Sequence, residues 1–466
     1  MTEPVETGSE KSLVASARRL GGFFTRPSRL RHGILGQASG QIVQIGVRLI
    51  EVPLFLHFWG AHLYGEWLVV TAIPGMLALG DLGVSQSAVR GITTANAARR
   101  EDEALEIFQS AALMTLLFST GFAALFVALS TMKEVGSAIG LSPAVTSALP
   151  SLLGALAGYT IITMQSLLMF GILQSVGKYP LGFFLLAITR VAEFSAVALV
   201  VALGGGLIGA ALAMLMAQFA SFFGLVASAR RFAPWMKFGI GRIRVRSIKA
   251  LIKPSLAFAA FPIAQGISLQ AFRVLIGGAL GPAAVVIFTT HRQLARFLNI
   301  GSNFMMSVQG ELGLAFGAGD LERYRRLSIR TFRALFFLGG VGFLVLLVAA
   351  PWIYVHWTAH RVAYDSVLFT VLLAAAFAEM MWRGAMAPAI ATNRHEWIAL
   401  AYLSAQIICL PVLFLFIHAG LRSVAVIVVT AEISMLIFVV LEFRRLIGIK
   451  VGALFKGYVR SDRLEP

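Results

Sequence analysis

The chain alternates long apolar runs with short polar or charged segments along most of its length. About twenty consecutive apolar residues span the hydrocarbon core of a bilayer as a helix, so each run predicts one transmembrane helix. The runs predict about twelve spans, over residues 36–58, 65–89, 107–130, 148–171, 181–203, 206–228, 255–280, 284–306, 332–355, 365–388, 398–418 and 422–442. The pattern therefore predicts an all-α polytopic membrane protein.

The predicted spans fall into two groups of six, separated by a cationic segment at residues 229–254. A constant offset along the sequence places Gln44 on Gln265 and Gly60 on Gly281. Paired six-span halves are common among secondary transporters, which hold their substrate near the bilayer midplane between the halves. The predicted organisation is a basic arm at 1–35, a six-helix lobe at 36–228, the linker at 229–254, a second six-helix lobe at 255–442 and a basic tail at 443–466.

Composition agrees with a membrane protein, because 58% of the residues are hydrophobic and only 13% are charged, against about 25% charged residues in soluble domains. The formal net charge of +17 would on its own also suit a nucleic-acid-binding protein. Given the predicted spans, however, about 30 of the 39 lysine and arginine residues lie on the side of the amino terminus. Only Lys133, Arg361 and Arg422 lie on the other side. The positive-inside rule therefore predicts that both termini are cytoplasmic, and no nucleic-acid partner is expected.

Six arginines lie inside the predicted spans, although a charged side chain at the bilayer centre costs about 2.5–3.5 kcal/mol on insertion scales. Such residues usually face a bundle interior or a water-filled cavity. Two of them, Arg292 and Arg296, share one helical face with Thr289, Asn299 and Asn303. This stripe predicts a cavity that attracts anions. The candidate substrate-binding residues are Arg48, Arg273, Arg292, Arg296, Asn299 and Asn303.

Three spans carry a charged pair at a spacing that lets the side chains meet on one helix, namely Arg48–Glu51, Arg190–Glu193 and Glu379–Arg383. Such pairs either neutralise each other or open to receive an anion or a proton. Arg292 and Arg296 have no acid on their own helix, so they need a carboxylate from a neighbour such as Glu51 or Glu432, an anionic ligand, or water. Three acidic residues are candidates for ion coupling: Glu51, Asp81 and Glu432. Asp81 has the alternative of capping or bridging helices, and Glu432 that of pairing with an arginine.

Sequence motifs for catalysis and for metal binding do not occur in the chain. It has no glycine-rich phosphate-cradling loop ending in lysine, no clustered His/Cys set and no plausible Ser–His–Asp arrangement. A single cysteine, Cys409, excludes an intramolecular disulfide. The longest predicted outer loop, 131–147, is too short for a soluble catalytic domain. We therefore expect that the protein is not an enzyme and uses no cofactor or metal.

Two segments resemble parts of bacterial polysaccharide exporters. Within residues 60–90, a YGxW-like start leads through a span to a DLG-like turn and a basic residue, here Tyr64, Gly65, Trp67, Asp81, Leu82, Gly83 and Arg90. Residues 310–327 (GELGLAFGAGDLERYRRL) resemble the cytoplasmic segment that follows the eighth span in that family, with Gly310-Glu311 where the family often has a proline. The pattern over residues 35–445 resembles the Wzx-like O-antigen and exopolysaccharide flippases of the multidrug/oligosaccharidyl-lipid/polysaccharide (MOP) superfamily.

This resemblance implies a MATE-like fold, with two pseudo-symmetric six-helix lobes around a central cavity, and transport by alternating access. The implied substrate is an oligosaccharide linked to a polyprenyl pyrophosphate of the undecaprenyl type, moved across the bacterial inner membrane for O-antigen, capsule or exopolysaccharide synthesis. Implied partners are membrane lipids and the polymerase and chain-length proteins of the same pathway. The arginines agree with this substrate, because guanidinium forks bind phosphate oxygens in pairs.

Two other functions compete with a flippase. A multidrug cation antiporter shares the superfamily but favours an acidic cavity, whereas the stripe at 289–303 is cationic. An integral-membrane polysaccharide polymerase or glycosyltransferase needs an extramembrane loop to hold its acceptor and catalytic residues, and the predicted outer loops are short.

Overall fold

A computed structural model of the chain describes residues 29–77, 83–392 and 394–448. Almost all of this described part is helical. The first group of helices comprises α1 (Arg29–Phe58), α2 (Gly60–Leu77), α3 (Val84–Ala97), α4 (Glu101–Ser130), α5 (Lys133–Ala138), α6 (Pro143–Ser175), α7 (Tyr179–Ala202) and α8 (Leu207–Phe232). The second comprises α9 (Val245–Gly266), α10 (Phe272–Leu280), α11 (Pro282–Ala295), α12 (Met305–Gly317), α13 (Leu321–Trp357), α14 (Ser366–Ala385), α15 (Ala387–Ala391), α16 (Glu396–Phe416) and α17 (Leu421–Ile447).

Two irregular segments interrupt the helices of the second group. A π-helical turn, Ile267–Ala271, joins α9 to α10, and a 3₁₀ segment, Arg296–Phe304, joins α11 to α12. Another short 3₁₀ turn, Ile417–Ala419, follows α16. Mid-helix π and 3₁₀ segments often mark functional positions.

Within the part of the chain that the structure describes, the helices form twelve crossings of the bundle, because short turns join successive segments and make them run antiparallel. Nine of the described helical segments are long and apolar enough to cross a membrane. The other three crossings are α1, α2–α3 and α11–α12, and the first and last of these carry charged residues inside the span. The prediction of an all-α polytopic membrane protein with about twelve transmembrane helices is confirmed.

Helices α1–α8 form the amino-terminal lobe, and α9–α17 form the carboxy-terminal lobe. The offset found in the sequence relates equivalent places in the two lobes. Gln44 lies on the first crossing of one lobe and Gln265 on the first crossing of the other. The turns that follow these crossings place Gly60 at φ +69° and Gly281 at φ +85°, a backbone conformation that favours glycine.

Some helix bounds in the structure differ from the span limits predicted from the sequence. The span predicted at 284–306 is not one α-helix, because the backbone tightens into the 3₁₀ segment at Arg296. The segment predicted as a linker at 229–254 is non-helical only between Phe232 and Val245. Hydropathy does not detect these helical ends, because basic surface turns can continue a helix beyond its apolar stretch.

The non-helical part of the linker lies on the terminal end of α4. The terminal end is the end of the bundle where α1 begins and α17 finishes. Gln109 on α4 donates to the carbonyl of Lys237 at 3.0 Å and accepts from the amide of Arg242 at 2.9 Å. The Arg244 guanidinium lies 3.5 Å from the Glu106 carboxylate. These contacts attach the linker to the amino-terminal lobe.

The two lobes meet backbone to backbone at the opposite end of the bundle. A Cβ atom at Gly65 would lie 2.1 Å from the carbonyl oxygen of Pro282, and one at Gly140 would lie 1.9 Å from that of Gly277. Arg361 also crosses between the lobes, donating to the carbonyl of Leu56 at 2.8 Å. Only glycine permits such close backbone approach, so the opposite end is closed.

Alanine at Gly140 is expected to weaken this closure, since its Cβ would overlap the carbonyl oxygen of Gly277. Overpacking of this kind costs about 1–3 kcal/mol. Because the clash lies between the two lobes, it destabilises the closed conformation relative to an open one. The measurement is the rate at which a membrane-impermeant thiol reagent, added only on the side of the opposite end, labels Tyr64→Cys in a Cys409→Ser background. The matched control is Gly60→Ala, which bears the same positive-φ strain but has nothing within 4 Å. Equal labelling rates in the two variants would contradict the expected opening.

Candidate functional site: a cationic cavity between the lobes

A cavity of about 790 Å³ lies between the two lobes. Its lining includes all six arginines that the sequence places inside spans, which are Arg48, Arg190, Arg273, Arg292, Arg296 and Arg383. Three glutamates also line it: Glu51, Glu193 and Glu379. Because arginine stays protonated in proteins, six arginines against three glutamates leave the described wall of the cavity with excess positive charge. The prediction that the arginines of the spans face the interior of the bundle is confirmed.

On the amino-terminal lobe, one arginine is held by two carboxylates. The Arg190 guanidinium lies 3.3 Å from Glu193 on its own helix and 3.7 Å from Glu51 on α1. The predicted Arg190–Glu193 pair is confirmed. Glu51 pairs with Arg190 rather than with Arg48, because α7 packs against α1 and brings a second guanidinium to it. Among the described residues, Arg48 has no carboxylate within 4 Å.

On the carboxy-terminal lobe, Glu379 of α14 accepts three hydrogen bonds. Arg383 donates from Nε at 3.0 Å, Arg296 from Nη2 at 3.1 Å, and Asn299 from Nδ2 at 2.8 Å. The predicted Glu379–Arg383 pair is confirmed. Arg296 takes its carboxylate from a neighbouring helix, which is one of the predicted alternatives. The partner is Glu379 rather than the examples Glu51 and Glu432, because the 3₁₀ segment lies against α14.

Arg292 has a different environment from Arg296, one turn away. It donates to Ser268 twice, from Nη1 to the carbonyl oxygen at 2.5 Å and from Nη2 to Oγ at 2.7 Å. Ser268 lies in the π-helical turn, where the backbone carbonyls depart from the regular helical pattern. The guanidinium carbon also lies 5.8 Å from the centre of the Phe288 ring. Within the described ranges no carboxylate lies within 4 Å of Arg292, so its charge is uncompensated.

Arg273 is the third uncompensated cation. It follows the π-helical turn on α10, and its Nη1 donates to Oε1 of Gln270 at 3.2 Å. In the part of the chain that the structure describes, it forms no ion pair with a carboxylate. Arg48 from one lobe and Arg273 and Arg292 from the other thus present three unneutralised guanidinium groups to one cavity.

The other candidate residues lie in three different situations. Asn299 lines the cavity beside Glu379. Asn303 falls in the 3₁₀ segment, and its side chain lies outside the described part, as does the whole of Asp81. Glu432 is 2% exposed but does not line the cavity; it accepts from Nε1 of Trp382 at 2.7 Å. The substrate-binding and ion-coupling roles stay predictions.

Several residues of the cavity wall were not singled out as site residues from the sequence. These are chiefly amides and aromatic residues: Gln44, Gln265, Gln270, Gln293, Tyr64, Trp67 and Tyr159. A glutamine inside an apolar span of the sequence predicts a position facing the bundle interior, because polar residues in a bilayer usually face it. The pair Gln44 and Gln265, related by the internal repeat, both line the cavity.

His291, next to Arg292 in sequence, is outside the cavity wall and fully buried. Its Nδ1 donates to the carbonyl of Ile287 at 2.7 Å, and its Nε2 accepts from the amide of Asp365 at 3.0 Å. Partial burial alone would raise the pKa of the Asp365 carboxyl, but hydrogen bonds from the Leu368 amide and the Arg422 guanidinium hold that pKa below its usual value. This cluster is structural, because it fixes the start of α14 against α11.

The sequence matches no protein-family model and no curated protein. Solved structures of low sequence identity match over almost the whole chain. An inward-facing multidrug resistance MATE family transporter of the MOP superfamily gives a TM-score of 0.68 at 15% identity, covering 90% of this chain and 99% of that one. The outward-facing form of such a transporter gives 0.60 at 16% identity, covering 92% and 96%.

A MOP superfamily transporter from Pyrococcus furiosus also matches, with a TM-score of 0.65 at 15% identity, over 93% of this chain and 98% of that one. In that protein, the reverse polarity of the binding pocket suggests a different function. These similarities show that the chain has the fold of MOP superfamily transporters.

Proposed function

We propose that this protein, which has the fold of the MOP superfamily transporters, is a flippase for a polyprenyl-pyrophosphate-linked oligosaccharide that works by alternating access. One observation carries the proposal. Arg48, Arg273 and Arg292 face a single cavity from both lobes, and none has a carboxylate within 4 Å among the described residues. Uncompensated buried charges are costly, so a cavity that keeps three of them is suited to an anionic ligand.

A pyrophosphate group meets the chemical requirements of this wall. It carries several negative charges on oxygens that accept bidentate hydrogen bonds from guanidinium forks. Arg292 can exchange its two neutral contacts with Ser268 for phosphate oxygens without leaving a carboxylate unpaired. Because the three arginines come from both lobes, a bound pyrophosphate would connect them. Its contacts would then differ between conformations that bring the arginines together and those that separate them, and such a differential affinity is what shifts a conformational equilibrium.

The rest of the wall suits an oligosaccharide. Gln44, Gln293 and Tyr159 offer hydrogen-bonding groups, and Trp67 and Tyr64 offer aromatic surface. Amide and hydroxyl groups can donate to and accept from sugar hydroxyls. We place the sugar on this neutral part of the cavity and the pyrophosphate on the arginines.

Multidrug cation antiport is the competing function that the fold also allows, since MATE transporters share it. The excess positive charge of the described wall opposes it, because a cationic substrate would meet arginines rather than free carboxylates. The three glutamates that line the cavity each contact at least one arginine. Integral-membrane polymerase or glycosyltransferase activity gains no support from the fold.

Ion coupling is a further part of the proposal. Glu432 is buried, and within the described chain its hydrogen bond comes from the neutral indole of Trp382. A buried carboxylate without a compensating cation is costly, so Glu432 is the candidate for carrying a proton. Glu51 contacts Arg190 and is the candidate for responding to substrate in the cavity.

Orientation in the membrane completes the proposal. We place the terminal end in the cytoplasm of a bacterium, with the protein in the inner membrane, on the asymmetry of lysine and arginine. The closed opposite end is then the outer end, and the described conformation faces the cytoplasm, where a lipid-linked substrate would be loaded. Polymerase and chain-length proteins are proposed as partners on the outer side.

The topology is testable with reporter fusions. Fusions at Glu10 and Asp462 should give active cytoplasmic reporters, such as a fluorescent protein, and inactive periplasmic reporters, such as alkaline phosphatase. The expectation follows from the positive-inside rule, which orients multi-pass proteins by loop charge. Phosphatase activity at either position would contradict this orientation.

Transport by the purified protein tests the function itself. The chain is reconstituted in vesicles with an undecaprenyl diphosphate carrying a labelled sugar, and its movement between leaflets is followed by enzymatic access to the sugar. The matched comparisons are a phosphatidyl lipid with the same labelled sugar and a lipophilic cationic dye. We expect movement of the diphosphate lipid alone. Transport of the dye without the diphosphate lipid would favour multidrug export.

A further inference from the structure

An apolar furrow of about 670 Å³ lies on the outside of the bundle, at the boundary between the two lobes. Met76 of α2 forms one wall, and Ala271 and Leu275 of the π-turn and α10 form another. Pro411 and Phe414 of α16 complete it. Every residue that lines this portal furrow is apolar.

The portal furrow and the cationic cavity are lined by residues that are direct neighbours in the chain. Gly75, which lines the cavity, directly precedes Met76, which lines the furrow. Gln270 lines the cavity and directly precedes Ala271 of the furrow. The Gln270 side chain lies flat on Gly75, since a Cβ there would be 2.5 Å from Nε2 of Gln270. Gln270 and Gly75 therefore lie in contact where cavity-lining residues adjoin furrow-lining residues.

Each of the three helices around this wall is irregular at that level. Helix α2 carries Pro74 directly before Gly75. The π-helical turn 267–271 interrupts the regular helix of the second wall. Helix α16 carries Pro411, which cannot donate a backbone hydrogen bond. Helices with such irregularities can change conformation locally. The two lobes can therefore separate at this boundary.

We propose that the portal furrow holds the polyprenyl chain of the substrate while its pyrophosphate occupies the cavity. This inference rests on the proposed function. An amphiphile with a charged head and a long hydrocarbon tail cannot enclose its tail in a polar cavity without losing the hydrophobic contact with lipid. The tail must therefore pass through the wall of the bundle, and here residues of the cavity directly adjoin those of a furrow that is apolar on its outer face.

The Gln270 amide couples head and tail. It accepts from Arg273, one of the uncompensated cations, and it rests on Gly75 across the lobe boundary. When Arg273 turns to a phosphate, Gln270 loses this hydrogen bond and is free to leave Gly75. Phe414 and Leu415 of the furrow lie in the last turn of α16, at the opposite end of the bundle. The lobes must separate at this end for release of the substrate. The tail would then reach the destination leaflet through this seam.

The test compares two alanines that line two lipid-facing furrows. Ala271→Trp fills the portal furrow, whereas Ala405→Trp fills a second apolar furrow between α16 and α17. Transport is measured with an undecaprenyl diphosphate sugar and with a geranyl diphosphate carrying the same sugar, whose short tail fits with its head in the cavity. We expect Ala271→Trp to lower transport of the long-tailed probe about tenfold, equivalent to about 1.4 kcal/mol, because the indole would occupy the space of the tail. It should leave the short-tailed probe unchanged, and Ala405→Trp should affect neither.

Photolabelling of the unmodified chain gives a second measurement that does not depend on folding of a variant. An undecaprenyl diphosphate with a photoreactive group in its tail should label the peptides that contain Ala271 and Phe414, and unlabelled undecaprenyl diphosphate should compete. Equal labelling by a photoreactive phosphatidyl lipid, without competition, would overturn the proposal, as would full long-tail transport by Ala271→Trp or equal losses in both tryptophan variants. Failure of the unmodified chain to move either diphosphate probe would instead overturn the proposed function.

Discussion

Replacing Arg292 with alanine is expected to lower transport of a lipid-linked diphosphate about 100-fold or more. The variant would lose two charge-assisted hydrogen bonds from the guanidinium to the phosphate oxygens, each worth roughly 1.5–3 kcal/mol. The protein should stay folded. The partners that Arg292 loses, the carbonyl and hydroxyl of Ser268, are neutral groups beside a cavity where water can replace the guanidinium. Removing an uncompensated cation also relieves repulsion with Arg296, one turn away.

Transport in vesicles and the melting temperature of the same preparation together check this expectation. Lysine at position 292 should restore only part of the activity, since an ammonium offers a point charge rather than a planar fork. The matched control is Arg422→Ala, which removes an arginine at the opposite end that is bound to Asp365 and is not among the residues lining the cavity. Normal translocation by an Arg292→Ala, Arg296→Ala double variant would remove both residues from the mechanism, and a large fall in melting temperature for Arg292→Ala would make it structural.

The membrane crossings and their pairing into two lobes could be read from the sequence, because burial in a bilayer imposes a length and a composition on every crossing. The interior position of the arginines could be read for the same reason. The 3₁₀ segment at Arg296 and the π-turn at Ser268 could not. Both depend on contacts with neighbouring helices, which local sequence periodicity does not contain.

Charge pairing shows the same limit. A spacing of three or four residues identified Arg190–Glu193 and Glu379–Arg383, since those partners share a helix. It also suggested Arg48–Glu51, where α7 supplies the competing guanidinium of Arg190. Pairs between helices need the packing of the bundle, so the sequence identified the charged residues of the cavity but not which of them are neutralised.

The distinction between neutralised and free arginines assigns different tasks to residues of one type. Arg190, Arg296 and Arg383 contact carboxylates and hold helices together within their own lobes. Arg48, Arg273 and Arg292 are the groups available to a ligand. An anion bound by these three would supply the missing negative charge, and its departure would restore the repulsion, so occupancy and lobe closure are linked electrostatically.

Replacing Glu379 with glutamine is expected to lower the amount of folded protein strongly, while the transport rate per remaining molecule falls much less. The carboxylate accepts from Arg296, Arg383 and Asn299 and is 6% exposed. Breaking such a buried pair by removing one partner costs roughly 3–5 kcal/mol, because it leaves the other charge uncompensated. Here two guanidinium groups would lose their shared counter-charge, and the contact between the 3₁₀ segment and α14 would weaken.

The matched control for Glu379→Gln is Glu51→Gln, which also removes a cavity carboxylate that contacts an arginine. Arg190 would keep Glu193, so the loss of stability should be clearly smaller. Membrane abundance, melting temperature and transport normalised to protein amount are measured for both variants. Restoring abundance in the Glu379→Gln variant by a second change, Arg383→Gln, would support the electrostatic cause, since it removes one of the two orphaned charges. Normal abundance of Glu379→Gln with abolished transport would show instead that Glu379 takes part in the transport cycle itself.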